Sequence, residues 1–505
     1  MSTSPHGPRP EHHDEATLVV TGAQVMDRDG TFSPATVTVV GGTIVAVERG
    51  GTGVNGRPTG GAGHGDERVP GTLRHDVHSG GATLDDVQGE GARLGIGRGA
   101  TDGGPPQDAA DRRRSGTVRH LDASGRWLMP GVVDCHTHLG WTTFLPEDDG
   151  RDDHRDDGRG DHRDDDAETT GADRTEGSAA GRIEHAPAVR TGVSAPDHPM
   201  ASAAARADAA LLSRAAPGLA ATLRAGVTSV RDAGGAASAI RDALVAGRLV
   251  GPQMLTAVAT ITDELARDPA ALRARVRCLV AEGADWIKVV ATGGVMAPDG
   301  SEDESPFDER DLRAVVDEAA GLGVRVMVHA WGGDALTHSI AAGAASVEHG
   351  MFLTERQADA GAAGGVVLVP TLAIYSEVAE MARRGELPER VRARASRVVE
   401  AHPRAVRRAV EAGMTVAMGS DFGTTDQHGR NLTEIDHLAA AGLGAAGALV
   451  AATQAGARLL GRGTGVLEAG QLFDAVLLTR DPTDTAVLRD ERAVETVFLA
   501  GAAVV

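Results

Sequence analysis

Two cysteines in 505 residues, Cys135 and Cys278, cannot build a disulfide framework. Aromatic residues make up only 2% of the chain, so its core has to be packed from Val, Leu, Ile and Ala, and the single tyrosine, Tyr375, stands out. Basic residues are outnumbered, 50 Lys and Arg against 71 Asp and Glu, which gives a formal net charge of −21. That balance argues against a nucleic-acid partner, because phosphate binding needs clustered cations. No stretch of about 18 apolar residues is expected to cross a membrane. The opening residues, MSTSPHGPRPEHHDEA, lack the charged region and apolar run of a secretory signal. These absences predict a soluble, cytoplasmic protein acting on a small molecule; a homo-oligomer is compatible with them.

What is present has a clear order. Residues 1–16 read as a disordered N-terminus. Residues 17–48 hold short β-like runs (18–20, 37–40, 44–47) parted by turn signals such as Gly41-Gly42. From 49 to 116 the chain turns to Gly, Asp, Arg and Pro without apolar periodicity and is expected to be disordered, since it cannot bury enough surface to offset its ordering entropy. From Val132 onward eight apolar runs alternate with helical stretches: 132–138, 227–235, 254–260, 285–294, 324–333, 345–350, 366–371 and 415–421. Segments 266–283, 308–322 and 387–412 carry apolar residues three or four apart, as amphipathic helices do. Eight strands alternating with helices predict an α/β fold, a (β/α)8 TIM-like barrel over 131–461. Residues 146–200 interrupt it; within them, 147–176 hold fourteen acidic and five basic side chains, a net −9, and read as a solvated acidic insertion. The β-patterned stretches 17–48, 117–130 and 462–505 need partners, which pairing the two termini into a small composite β-sandwich domain would supply.

Active sites of such barrels lie at the C-terminal strand ends. His136 and His138, two apart on a strand, share one face. Lys288 lies in the fourth run, His329 in the fifth, His349 ends the sixth and Asp421 the eighth. Neutral imidazoles and carboxylates suit zinc and similar divalent ions; manganese and cobalt fit the same ligands. A lysine among them is explained if burial lowers its pKa. The neutral amine can then take up carbon dioxide as a carbamate with one oxygen for each of two metals. Such a pair holds a hydroxide, and Asp421 is placed to ligate one ion and shuttle the proton. Tyr375, His428, Arg430 and Trp331 are candidates for contacting substrate, Tyr375 through an oxyanion and His428 and Arg430 through a carboxylate. Arg231 and Asp232 read as a structural pair, and Cys135, alternating away from the ligand face, as inert.

PGVVDCHTH, AGVTSVRDAGG, DWIKVVATGG, VMVHA, SVEHG, VPT, GSD, HGRNLTEI and the tail GVLEAGQLFDAVLLTRDP together resemble the amidohydrolase superfamily. Within it, the sequence resembles the imidazolonepropionase-like group related to metal-dependent Xaa-Pro dipeptidases. The resemblance implies that His136, His138, Lys288 as a carboxylated bridge, His329, His349 and Asp421 are the metal ligands. It also implies a composite β domain. Relatives often carry HAHG where this chain has HAWGG with Trp331, so an indole replaces a polar group of the pocket wall. Imidazolonepropionases lack the bridging lysine, so Lys288 argues against that activity.

The resulting expectation is a metal-dependent hydrolase with two divalent cations, zinc first, cleaving an amide-type C–N bond of a dipeptide or N-acyl amino acid by a metal-bridging hydroxide. A lactone, ester or phosphotriester hydrolase on the same site is the alternative, and a non-catalytic scaffold of the same fold is the third.

Overall fold

The structure is a computed structural model, and it describes residues 16–50, 117–140, 203–295, 297 and 304–505. The expectations for 1–15, 51–116 and 146–200 lie outside the described residues.

Five strands come first among the described residues, and along the second of them buried residues fall two apart, at Ala35, Val37 and Val39. They are β1 (Thr17–Met26), β2 (Phe32–Val40), β3 (Thr43–Arg49), β4 (Val118–Asp122) and β5 (Trp127–Pro130). Next come the parallel strands β6 (Val132–Thr137), β7 (Val227–Asp232), β8 (Gln253–Thr256), β9 (Thr260–Ile261), β10 (Trp286–Val290), β11 (Arg325–Ala330), β12 (Ser346–His349) and β13 (Val367–Val369). The chain ends with β14 (Ala475–Leu478), β15 (Val494–Leu499) and β16 (Ala502–Ala503).

Strands from both ends of the chain share one sheet, in the order β16-β15-β14-β5-β1-β2-β3, with β4 also on β1. The seam between the ends is antiparallel, Pro130 opposite Ala475 and Trp127 opposite Leu478. Val20, Val25, Val37, Ile44, Leu128, Phe473 and Phe498 form its core. The ladders thus draw the expected sandwich as a single sheet.

The central strands form two parallel sheets, β6-β7-β8 and β9-β10-β11-β12-β13. β6 and β7 are buried at every residue, as strands covered on both faces must be. No closed ladder joins the two sheets among the described residues. The eighth run, 415–421, is not a ladder strand. It makes one bridge, Leu368 to Val416. It nonetheless bonds toward β6: Cys135 N donates to Met418 O (2.9 Å), Asp421 N to His136 O (2.7 Å) and His138 N to Phe422 O (2.8 Å). The third run, 254–260, splits into β8 and β9 because Val258 turns to a positive φ of 62°.

Helices fill the connections where the apolar spacing predicts them. They are α1 (Ala203–Arg224), α2 (Ser238–Val245), α3 (Pro269–Ala281), α4 (Glu309–Gly321), α5 (Gly333–Ala342), α6 (Glu355–Gly364), α7 (Leu372–Arg383) and α8 (Glu389–Glu411). Local chemistry fixes their starts. Asp268 caps α3, accepting from Ala270 N and Ala271 N ahead of Pro269. Asp308 and Asp311 form a capping box on α4. The helical run Thr433–Leu460 has a mean hydropathy of 1.5 and is long and apolar enough, by length and composition, to cross a membrane. This corrects the expectation of no such stretch. Ile435, Leu438, Leu449 and Ala452 of this run pack into the main core.

Candidate metal centre

The strand ends bring five of the expected ligands into contact. His136 Nε2 lies 3.3 Å and His138 Nε2 3.2 Å from Asp421 Oδ1, and His349 Nδ1 lies 3.9 Å from Asp421 Oδ2. The ring centroids of His136 and His349 are 5.1 Å apart, and those of His329 and His349 4.4 Å. Donor atoms of His136, His349 and Asp421 all fall within 4.8 Å of one another. Lys288, buried on β10, feels the charges of Glu348 and Asp421.

The tautomers decide whether this group suits a metal. His136 Nδ1 is 2.6 Å from the Glu348 carboxylate and His138 Nδ1 is 2.8 Å from the carbonyl of Gly234. Both partners accept, so each Nδ1 carries a proton, and each Nε2 faces Asp421, as a lone pair when its ring is neutral. Neutral rings set two imidazole lone pairs against one carboxylate, an arrangement that a cation resolves; without one, a proton does so, and although burial and Lys288 oppose the charge on His136, Asp421 and Glu348 outweigh them and raise its pKa. His329 Nε2 is also buried, with no hydrogen-bond partner among the described residues. The donor set therefore fits divalent cations, with Nδ1 contacts of the kind that orient metal-bound histidines.

The electrostatics agree. Burial lowers Lys288 to about 8 against the carboxylates, so a neutral amine is accessible near neutral pH. Burial and the Lys288 charge bring His329 down to about 3, and burial with neighbouring His329 keeps His349 well below its usual range, so both rings are neutral. Burial opposes ionisation of Asp421, but the surrounding imidazoles outweigh it and hold the carboxyl well below the usual range. Burial drives the Tyr375 hydroxyl well above 10, and the Asp421 charge adds to this.

Backbone strain marks the same place. His349 (φ 71°), Thr371 (φ 59°) and Asp421 (φ 56°), at three successive strand ends, occupy the left-handed region. The glycine of GSD is required by space, since a Cβ on Gly419 would lie 2.5 Å from the Val369 side chain and 2.7 Å from that of His136.

The substrate candidates separate. Tyr375 begins α7, not a strand end, and its ring packs against His349 (5.7 Å), Trp331 (5.6 Å) and His402 (5.8 Å). Trp331 is fully buried beside His329. His428 is buried, 3.4 Å from Thr222 Oγ1, and lowered to about 4, mainly by burial. Arg430 pairs with Glu377 (2.8 Å) and lies over Phe422 (5.8 Å), neither of them a member of the histidine cluster.

Arg231 does not pair with Asp232. Its guanidinium reaches across to Glu348 (3.0 and 3.1 Å), Ser346 Oγ (3.1 Å) and the Cys135 carbonyl (2.6 Å), while Asp232 accepts from the backbone N–H groups of Leu139, Gly234 and Ala236. Cys135 is buried and its thiol pushed up by burial, which agrees with an inert role.

Sequence reasoning missed the groups behind the ligands. Glu348 accepts from His136 and Arg231. Asp134 ties the His-x-His strand to the GSD turn, accepting from Ser420 N (3.0 Å), Ser420 Oγ (2.6 Å) and Asn431 Nδ2 (2.9 Å). His402 on α8 places Nε2 3.0 Å from the His349 carbonyl. One signal was available: Asp134 shares the period-two face of His136 and His138, and a carboxylate pointing inward needs donors.

The model of the amidohydrolase family matches residues 127–504. The chain belongs to the amidohydrolase family. It is thus an enzyme, a hydrolase of the class that acts on carbon–nitrogen bonds. Among characterised relatives, ochratoxinase of Aspergillus niger is 26% identical over 414 residues, covering 74% of this chain and 75% of that protein. An imidazolonepropionase of Pseudoalteromonas atlantica is 53% identical over 32 residues, 6% of this chain and 8% of its own. Among solved structures, a Xaa-Pro dipeptidase with bound methionine superposes with a TM-score of 0.66 at 22% identity, covering 97% of this amidohydrolase and 99% of that chain. The A. niger ochratoxinase structure gives 0.66 at 19%, covering 97% and 96%.

Proposed function

We propose that this amidohydrolase cleaves an amide-type C–N bond in a small substrate, a dipeptide or N-acyl amino acid, with two divalent cations, zinc first. The observation that carries the reading is the pair of imidazole nitrogens, His136 Nε2 and His138 Nε2, fixed toward the Asp421 carboxylate by the Nδ1 bonds of their rings. His136, His138 and Asp421 would hold one ion, His329 and His349 the other, and Lys288 as a carbamate would serve both. Bound ions supply water activation at neutral pH and polarisation of the scissile carbonyl.

The chain's own groups do the rest. Asp421, its carboxyl kept ionised by its neighbours, takes the proton of the attacking water and returns it to the leaving nitrogen. Tyr375, protonated at any working pH, donates to the developing oxyanion. Trp331 and Tyr375 wall the pocket with buried rings. The bonds from 415–422 to β6 and from Leu368 support reading the parallel strands as one closed (β/α)8 barrel. The relatives named as dipeptidase and ochratoxinase favour a small substrate.

The test is a metal count on zinc-loaded protein followed by a hydrolysis screen over dipeptides, Xaa-Pro included, N-acyl amino acids and lactones. Close to two ions per chain and turnover confined to C–N substrates are expected. Full activity with one ion, or turnover of lactones alone, refutes the reading.

A further inference from the structure

β11 and β13 lead toward the candidate centre at their C-terminal ends, near His329 and Thr371. Their opposite ends open on a separate cavity of about 600 Å³. Arg325 and Val367, which begin those strands, line it together with Met414, Leu443, Gln454 and Arg458. In a chain carrying 71 acidic residues, none of the seventeen residues lining this cavity is acidic.

Its charged groups stand at exposed positions and carry no counter-charge. Neither Arg325 nor Arg458 has a carboxylate within ion-pair distance among the described residues. Arg325 lies instead 4.5 Å over the Trp286 ring, which already carries Arg231 at 4.5 Å. The amide nitrogen of Gln454 is buried and meets no acceptor. A buried donor without an acceptor is uncommon in folded proteins, and a guanidinium fork presents parallel donors matched to a carboxylate. Apart from Thr415 the remaining side chains of the wall are apolar, in keeping with ligand pockets that set a few polar groups in an apolar lining.

We propose that this cavity binds a small carboxylate with an apolar body, at a site distinct from the hydrolytic centre. The carboxylate accepts from Arg458, Arg325 and the Gln454 amide, and its hydrocarbon lies on Val367, Met414 and Leu443. This inference does not depend on the proposed reaction.

The test is calorimetric titration of octanoate into the metal-loaded full chain, with acetate and 1-octanol as controls. Saturable one-to-one binding of octanoate is expected, with acetate and octanol each at least about tenfold weaker. Arg458→Glu, at an exposed position that folding tolerates, and the near-isosteric Gln454→Leu should each weaken octanoate about tenfold or more. Thermal melts, metal content and turnover should stay at the wild-type level. Carboxylate bound at the metal ions instead would titrate identically in both variants, so an unchanged affinity overturns the site. Absence of saturable octanoate binding overturns it too. Octanol binding as tightly as octanoate removes the role of the guanidinia, and acetate binding as tightly removes that of the apolar wall.

Discussion

Replacing Arg231 with Met keeps the volume of a side chain that is fully buried and removes its charge. Its partner Glu348 is equally buried, and burial opposes its charge. Arg231 and His136 nonetheless hold the carboxyl at about 2, against an ordinary value near 4.5. Without the guanidinium the carboxylate keeps Ser346 Oγ and His136 but loses two charge-assisted bonds. Breaking a buried pair from one side costs about 3–5 kcal/mol at neutral pH. The shift of the wild-type carboxyl gives about 3 kcal/mol by linkage, the same order. The sign follows from the depression. This stabilisation is present above pH 4.5 and is lost as pH falls through about 2, so the gap between wild type and variant should narrow with acidification. Urea unfolding of the metal-stripped proteins at pH 7 and at pH 3.5, which keeps metal release out of the comparison, measures both gaps, and Arg231→Met/Glu348→Gln should recover part of the loss. Because Glu348 fixes the Nδ1 proton of His136, the single variant should also bind metal more weakly. A cost under about 1 kcal/mol at pH 7, or a gap that does not change with pH, refutes the reasoning.

Lys288→Ala should lose at least one metal ion and about a hundredfold or more in rate, with partial rescue by added acetate or propionate and none in Lys288→Arg; retention of both metals and most of the rate would return the site to a single-ion reading. Tyr375→Phe keeps the ring contacts with His349, Trp331 and His402 and removes only the hydroxyl. Its stability should move by less than about 1 kcal/mol while kcat falls about a hundredfold, as for loss of one oxyanion donor; a kcat within twofold of wild type assigns Tyr375 to packing alone.

Much of the centre was legible because a strand repeats every two residues and parallel strands end on one side of the sheet. Those two facts place His136, His138, His349 and Asp421 together before any coordinates exist. What stayed hidden depends on which strands face each other across the interior. Arg231 sits beside Asp232 in sequence, yet its side chain crosses to Glu348 on β12, a strand with which β7 shares no ladder. No local period encodes that crossing. The run 415–421 reads as a strand from its apolar residues, but it bonds on one side to Leu368 and on the other to β6 with too few regular pairs to form a ladder. Arg430 carries the charge expected for a substrate carboxylate, and only the packing of α7 reveals that Glu377 already holds it.

The strained residues and the buried polar groups share one cause. A ligand at a regular strand end projects perpendicular to its strand, and several such ligands cannot all converge on one point. Turning His349, Thr371 and Asp421 into the left-handed region re-aims each strand end, at about 1–3 kcal/mol for each residue. Each turn is held by groups that do no chemistry themselves. His402 bonds the His349 carbonyl, and the hydroxyl of Thr371 lies 2.8 Å from His349 Nδ1. Glu434 accepts from Leu372 N and Ala373 N, just after the Thr371 turn. Asp134 collects Ser420 and Asn431 beside Asp421. Polar residues buried this deeply would be costly in an ordinary core; here their bonds go to the backbone and side chains of the turns that carry the ligands. The geometry of the centre is thus fixed by hydrogen bonds of the fold itself, which is the condition for electrostatic stabilisation without reorganisation during the reaction.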